Sequence, residues 1–216
     1  MSLTPQQWLL RLTLVPVIVA ALIGGIRFKQ LQPGLRYLAG GLIGFILPLE
    51  VLGLVFMLQH RNNLFLMPIY TAGEFWILAM VYRYALQSAA FTRSLPWLVG
   101  GFTAYAVLDS LLLADLSRFR PGQHVVQSIL VLGIVGLYFR KLLHELVVRR
   151  LSREPIFWVS SGLLIYFLGY LQIALFSNYL LRYSFQLNMN IWAVHSLLFI
   201  ILHSCYSIAL WLRPQK

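Results

Sequence analysis

Residues 48–76 read PLEVLGLVFMLQHRNNLFLMPIYTAGEFW, and this stretch decides the fold. Two apolar arms flank the short polar run His60-Arg61-Asn62-Asn63, as expected of two membrane-crossing helices joined by a tight turn. Each arm carries one carboxylate, Glu50 before the turn and Glu74 after it. Both lie roughly a dozen residues from the turn, or about 18 Å at about 1.5 Å per residue. In an antiparallel hairpin, equal distance from the turn means equal depth. Two acids inside hydrocarbon are costly, so each is expected to face protein, water or a bound molecule and not lipid.

The rest of the chain fits this reading. Of 216 residues, 60% are hydrophobic and 11% charged, and the mean hydropathy is +0.78. Such a composition excludes both a soluble globular domain and a disordered chain. Apolar runs over about residues 8–26, 37–59, 64–84, 95–115, 125–144, 156–180 and 191–212 predict an all-α bundle of seven transmembrane helices in one domain. Each run is close to the roughly 20 residues that cross a bilayer. Thr4-Pro5 and Ser94-Leu95-Pro96 read as helix starts, with proline at an early position where its missing N–H does no harm. Pro16 should kink the first helix. Gly40, Gly41 and Gly44 offer the second a small face for close packing. Residues 117–124, SRFRPGQH, read as a polar loop.

A net charge of +11 raises nucleic acid as a partner, but the basic residues are scattered through short loops and build no basic domain. They read instead as topology signals and contacts to lipid headgroups. Twelve of the 17 Lys and Arg residues fall in the 1–2, 3–4 and 5–6 loops and the carboxyl tail. The positive-inside rule then puts the amino terminus outside and the carboxyl terminus in the cytoplasm. The amino-terminal MSLTPQQW lacks the basic region and cleavage site of a signal peptide, so the first run is expected to remain as a helix. The single cysteine, Cys205, makes no internal disulfide.

Chemistry-bearing residues concentrate in the outer half. Glu50, Glu74, Asp109 and His203 fall between the outer surface and about the midplane, and His195 lies one turn below the outer end of the last helix. Tyr70 is one turn from Glu74, and Tyr170 on the sixth helix lies at a similar depth. Together they are expected to line one outward-facing cavity and contact a small molecule or ion. Grouped carboxylates in a medium of low dielectric cannot all ionise. Each residue taken alone is also compatible with a plain packing or interhelical role. The group as a whole points to function, because ionisable residues inside membranes default to it. Asp115 and Arg11 lie at helix ends and receive no role.

No cofactor, metal or catalytic residue is assigned. His195 and His203 are eight residues apart on one helix, about 12 Å in rise and too far to share one ion. The S-x-x-x-H and H-x-x-x-H motifs of zinc-dependent seven-helix hydrolases are missing, as are a Schiff-base lysine in the last helix and the receptor motif N-P-x-x-Y.

Asn63-Leu64, Ile69-Tyr70 and Glu74-Phe75, followed by Pro155, Phe157-Trp158 and Ile165-Tyr166-Phe167, form a looser pattern. It resembles uncharacterised bacterial seven-helix proteins, some of which are similar to the membrane input modules of sensor histidine kinases. The resemblance covers the second, third and sixth helices. It implies a sensor in a bacterial inner membrane that signals to a separate cytoplasmic partner. A proton-coupled transporter using the two glutamates is the alternative, and a membrane-embedded enzyme comes third. On the cytoplasmic side, Arg140, Lys141, Arg149, Arg150 and Arg153 surround an amphipathic run that is expected to lie on anionic lipid or dock the partner.

Overall fold

The computed structural model describes residues 5–112, 121–145, 150–180 and 185–212, and the described residues are all-helical with no strand. The helices are α1 (Pro5–Leu12), α2 (Leu14–Arg27), α3 (Pro33–Leu58), α4 (Met67–Leu86), α5 (Ala89–Leu112), α6 (Pro121–Glu145), α7 (Pro155–Leu180) and α8 (Phe185–Trp211). Six stretches, one each from α3 to α8, are long and apolar enough to cross a membrane. The first expected span is instead two helices broken at Thr13. Pro16 explains the position: it offers no N–H to the carbonyl of Leu12, and its ring crowds that carbonyl. A second irregularity precedes Pro48, where residues Leu42–Ile46 form a π turn inside α3. Pro48 releases the carbonyl of Gly44, and the wider turn absorbs the mismatch just before Glu50.

Two helix starts differ from the sequence reading. α5 begins at Ala89, so Pro96 lies inside it. Ser88 supplies the cap, its Oγ accepting from the Phe91 N–H at 3.3 Å. Ser94 is not a cap, since its hydroxyl donates back to the Phe91 carbonyl at 3.0 Å. α6 begins at Pro121 and not near residue 125. Proline suits a first helical position, and this earlier start brings Gly122, Gln123 and His124 into the helix. Residues 117–120 of the expected loop lie outside the described residues.

The hairpin that opened the sequence reading is present. His60 takes a positive φ of 54°, Asn62 Oδ1 accepts from the Leu64 N–H at 2.8 Å, and Asn63 Nδ2 donates to the Gly53 carbonyl at 3.2 Å. The Asn side chains thus replace backbone partners that a tight turn leaves unmatched.

The helices close into a ring. α2 packs on α3 and α8, α3 on α4, α4 on α6, α6 on α7, and α7 on α8, while α1 lies against α8. α5 stands outside this ring, against α4 and α6. Small residues set the close contacts. A Cβ on Gly24 would stand 2.9 Å from Ala39 Cβ, and one on Gly162 would stand 2.8 Å from Cys205 Cβ. Of the expected glycine face on α3, only Gly41 is pressed against a neighbour, Ile77. Gly44 meets nothing within 4 Å.

Basic side chains close the helix ends at the Arg27–Lys141 end of the bundle. Lys141 Nζ donates to the carbonyls of Ala85 and Leu86 at 3.1 and 2.9 Å. Arg27 Nη1 donates to the Leu210 carbonyl at 3.3 Å and stacks 5.6 Å from the Trp211 ring. Cations at the C-terminal ends of α4 and α8 satisfy orphan carbonyls and oppose the helix dipole.

Candidate functional site

Inside the ring, at the end away from Arg27 and Lys141, lies a cavity of about 460 Å³. Every ring helix contributes to its wall. Arg11 comes from α1, and Glu50 and Leu54 from α3. Tyr70, Thr71 and Glu74 come from α4, and His124 and Gln127 from α6. Tyr166 and Tyr170 line it from α7, and Trp192, His195 and Phe199 from α8.

Among the described acids Glu74 is the most enclosed, with 4% of its surface exposed. It survives there because α6 supplies a partner: Gln127 Nε2 donates to Glu74 Oε2 at 2.7 Å and to the Thr71 carbonyl at 3.3 Å. A buried carboxylate with no such donor would cost several kcal/mol, on the order of the penalty for any unpaired buried charge. Glu50 faces the same space and lies close enough to Glu74 for their charges to act on one another. The Tyr70 hydroxyl stands near the Glu50 carboxyl but makes no well-formed hydrogen bond.

The opposite wall is aromatic. Tyr166 and Tyr170 stack at 5.5 Å, and His195 lies 4.8 Å from the Tyr170 ring and 5.7 Å from Trp192. Tyr166 Oη and His195 Nε2 share a hydrogen bond of 3.1 Å. His124 meets the other edge of Tyr170 at 4.9 Å.

Of the seven residues expected at the site, Glu50, Glu74, Tyr70, Tyr170 and His195 line this cavity. Asp109 and His203 do not. Asp109 belongs to α5, outside the ring, where its Oδ2 accepts from Gln123 Nε2 at 2.7 Å and ties α5 to α6. His203 lies beyond Phe199, fully buried, with Nδ1 donating to the Phe199 carbonyl at 3.0 Å. Arg11, given no role from sequence, lines the cavity. Gln127, His124 and Trp192 were missed. The signal for His124 was Pro121, which marks a helix start early enough to include it.

Beyond Glu74 and Phe199 the ring closes. Phe75, Leu78, Leu163, Phe167 and Leu202 are buried, and Tyr82 Oη bonds Ser160 Oγ at 2.7 Å between α4 and α7. His203 Nε2 and Tyr206 Oη lie in this zone without partners.

The basic segment is not one continuous helix. α6 is described as far as Glu145, Arg150 is extended, and Leu151–Arg153 form a single 3₁₀ turn before α7. Arg140, Arg150 and Arg153 are exposed, Lys141 is bound to the end of α4, and Arg149 lies outside the described residues. Among the described residues no group of three His, Cys, Asp or Glu side chains could hold a metal ion. Comparison with protein-family models, curated proteins and solved structures finds no match.

Proposed function

We propose that this is an integral membrane sensor or receptor-like module. A small molecule enters the cavity bounded by Glu50 and Glu74, and the resulting helix movement passes to a cytoplasmic partner. The observation that carries this reading is a cavity with a wall from every ring helix and a closed floor. A ligand there contacts α3, α4, α6, α7 and α8 at once and can change their relative positions, while nothing passes through. Only differential contacts of this kind shift a conformational equilibrium. The volume falls in the range of small-molecule sites, about 300–1,000 Å³.

On this reading α1 and α2 together make a bent first crossing, giving seven. The amino terminus faces out, and Arg27, Arg36, Arg83, Arg140 and Lys141 gather on the cytoplasmic side of a bacterial plasma membrane. The capping of α4 and α8 by Lys141 and Arg27 at that end supports the assignment, as does the positive-inside rule. Arg140, Arg150 and Arg153 remain open to lipid headgroups or the partner.

The transporter reading draws on His203 Nε2 and Tyr206 Oη, two polar atoms beyond the floor that lack partners. Proteoliposomes loaded with a pH-sensitive dye separate the two. The sensor reading expects no proton flux that depends on Glu74 under an imposed pH gradient. A flux abolished by Glu74→Gln would overturn it in favour of transport.

A further inference from the structure

Resting on the reading of the cavity as a binding site, we infer that its ligand is a small organic cation, an ammonium or guanidinium compound with an apolar body. Three observations converge. First, among the described residues Glu50 and Glu74 are the acids of the cavity wall, and Arg11 on short α1 is its one formally charged base. Glu74 keeps one oxygen on Gln127, and Glu50 lies beside the Tyr70 hydroxyl. A cation placed between them favours the ionised form of both carboxyls and is attracted by each, whereas an anion favours neither and is repelled by any charge they carry.

Second, the wall opposite the acids carries a cluster of aromatic rings. Tyr166, Tyr170, Trp192 and Phe199 come from α7 and α8, and Tyr70 adds one from α4. Such faces attract ammonium groups through the ring quadrupole, and sets of them recognise quaternary ammonium ligands. The same rings accept an apolar body, so one molecule is complementary to both walls.

Third, the buried Tyr70 hydroxyl stands beside Glu50 without a well-formed hydrogen bond. An ammonium N–H, or a hydroxyl carried by the ligand, gives it one. A bare metal ion does not answer these features, since no trio of ligating side chains is present among the described residues and the cavity is far larger than an ion.

The test uses full-length protein in lipid nanodiscs and calorimetric titration with three probes of one shape: choline, neutral 3,3-dimethylbutan-1-ol and anionic 3,3-dimethylbutanoate. Butylammonium, benzyltrimethylammonium and phenylguanidine extend the cationic set. At least one cation should bind, and choline should bind at least tenfold more tightly than its neutral analogue, with the anion weakest. Glu50→Gln and Glu74→Gln should each weaken binding at least tenfold. Trp192→Leu should also weaken it several-fold without touching the Glu74–Gln127 bond, so the aromatic contribution is read even if a glutamate variant unfolds. Equal or tighter binding of the neutral or anionic analogue would overturn the cation assignment and leave the binding reading standing. Failure of every probe, whatever its charge, would count against both.

Discussion

Gln127 and Glu74 are joined across α6 and α4 by a hydrogen bond of 2.7 Å, both side chains almost wholly buried. Gln127 also holds the Thr71 carbonyl one turn earlier on α4. One amide therefore fixes both the register of two helices and the direction of the carboxyl group that faces the cavity. Gln127→Leu should remove both bonds and leave Glu74 without its donor, at a cost of about 2 kcal/mol. Thermal melting in nanodiscs, run as a cycle with Glu74→Gln, should show coupling of about 1 kcal/mol or more. Strict additivity of the two changes would show that the pair does not hold the helices in place.

Close packing of α7 on α8 makes a second prediction. A Cβ at position 162 would fall 2.8 Å from the Cβ of Cys205, an atom fixed to its backbone that cannot swing away. Gly162→Ala should destabilise by about 1–3 kcal/mol. Gly133, on α6, meets nothing within 4 Å, so Gly133→Ala should be neutral or stabilising by up to about 1 kcal/mol. Equal melting temperatures for the two variants would contradict the α7–α8 contact.

Glu154, in the turn before α7, gives a pH dependence outside the apolar spans. Burial raises its carboxyl above the ordinary glutamate range, opposed by a bond from the Ile156 N–H. A raised acid favours the folded state when protonated. Its ionisation thus removes stability as pH climbs from the unfolded value through the folded one. Glu154→Gln should be more stable than wild type at neutral pH, with the difference vanishing below about pH 4. A difference that grows toward acid would reverse the sign and refute the burial argument.

The helical class and the hairpin with its two acids were legible in the sequence because charge is conspicuous in an apolar run. Hydropathy also drew most helix limits to within a few residues. It failed where helices begin with polar residues: the run Pro121-Gly122-Gln123-His124 resembles a loop by composition, yet it forms the first turn of α6. Hydropathy therefore left His124 in a loop, while Gln127, inside the expected helix at 125–144, was passed over because it carries no charge. Asp109 was placed in the cavity because depth can be counted along a helix. Which helix lies inside the ring cannot be counted that way, and α5 is the one outside. His203 shares a face with His195, but Phe199 lies between them and forms part of the floor. A shared face gives direction and leaves open where a cavity ends.

On the proposed reading, an outward-opening cavity concentrates positive charge at Glu50 and Glu74. Leu54, one turn from Glu50 in the cavity wall, provides the most direct probe. With buried Cys205 changed to Ala, Leu54→Cys is treated on intact cells with membrane-impermeant thiosulfonates carrying either a trimethylammonium or a sulfonate group. Rates are taken relative to a free thiol. The cationic reagent should react faster by about tenfold, the lower end of electrostatic focusing in clefts, and Glu50→Gln with Glu74→Gln should abolish the preference. No reaction from outside, or equal rates for the two reagents with both glutamates in place, would contradict the account.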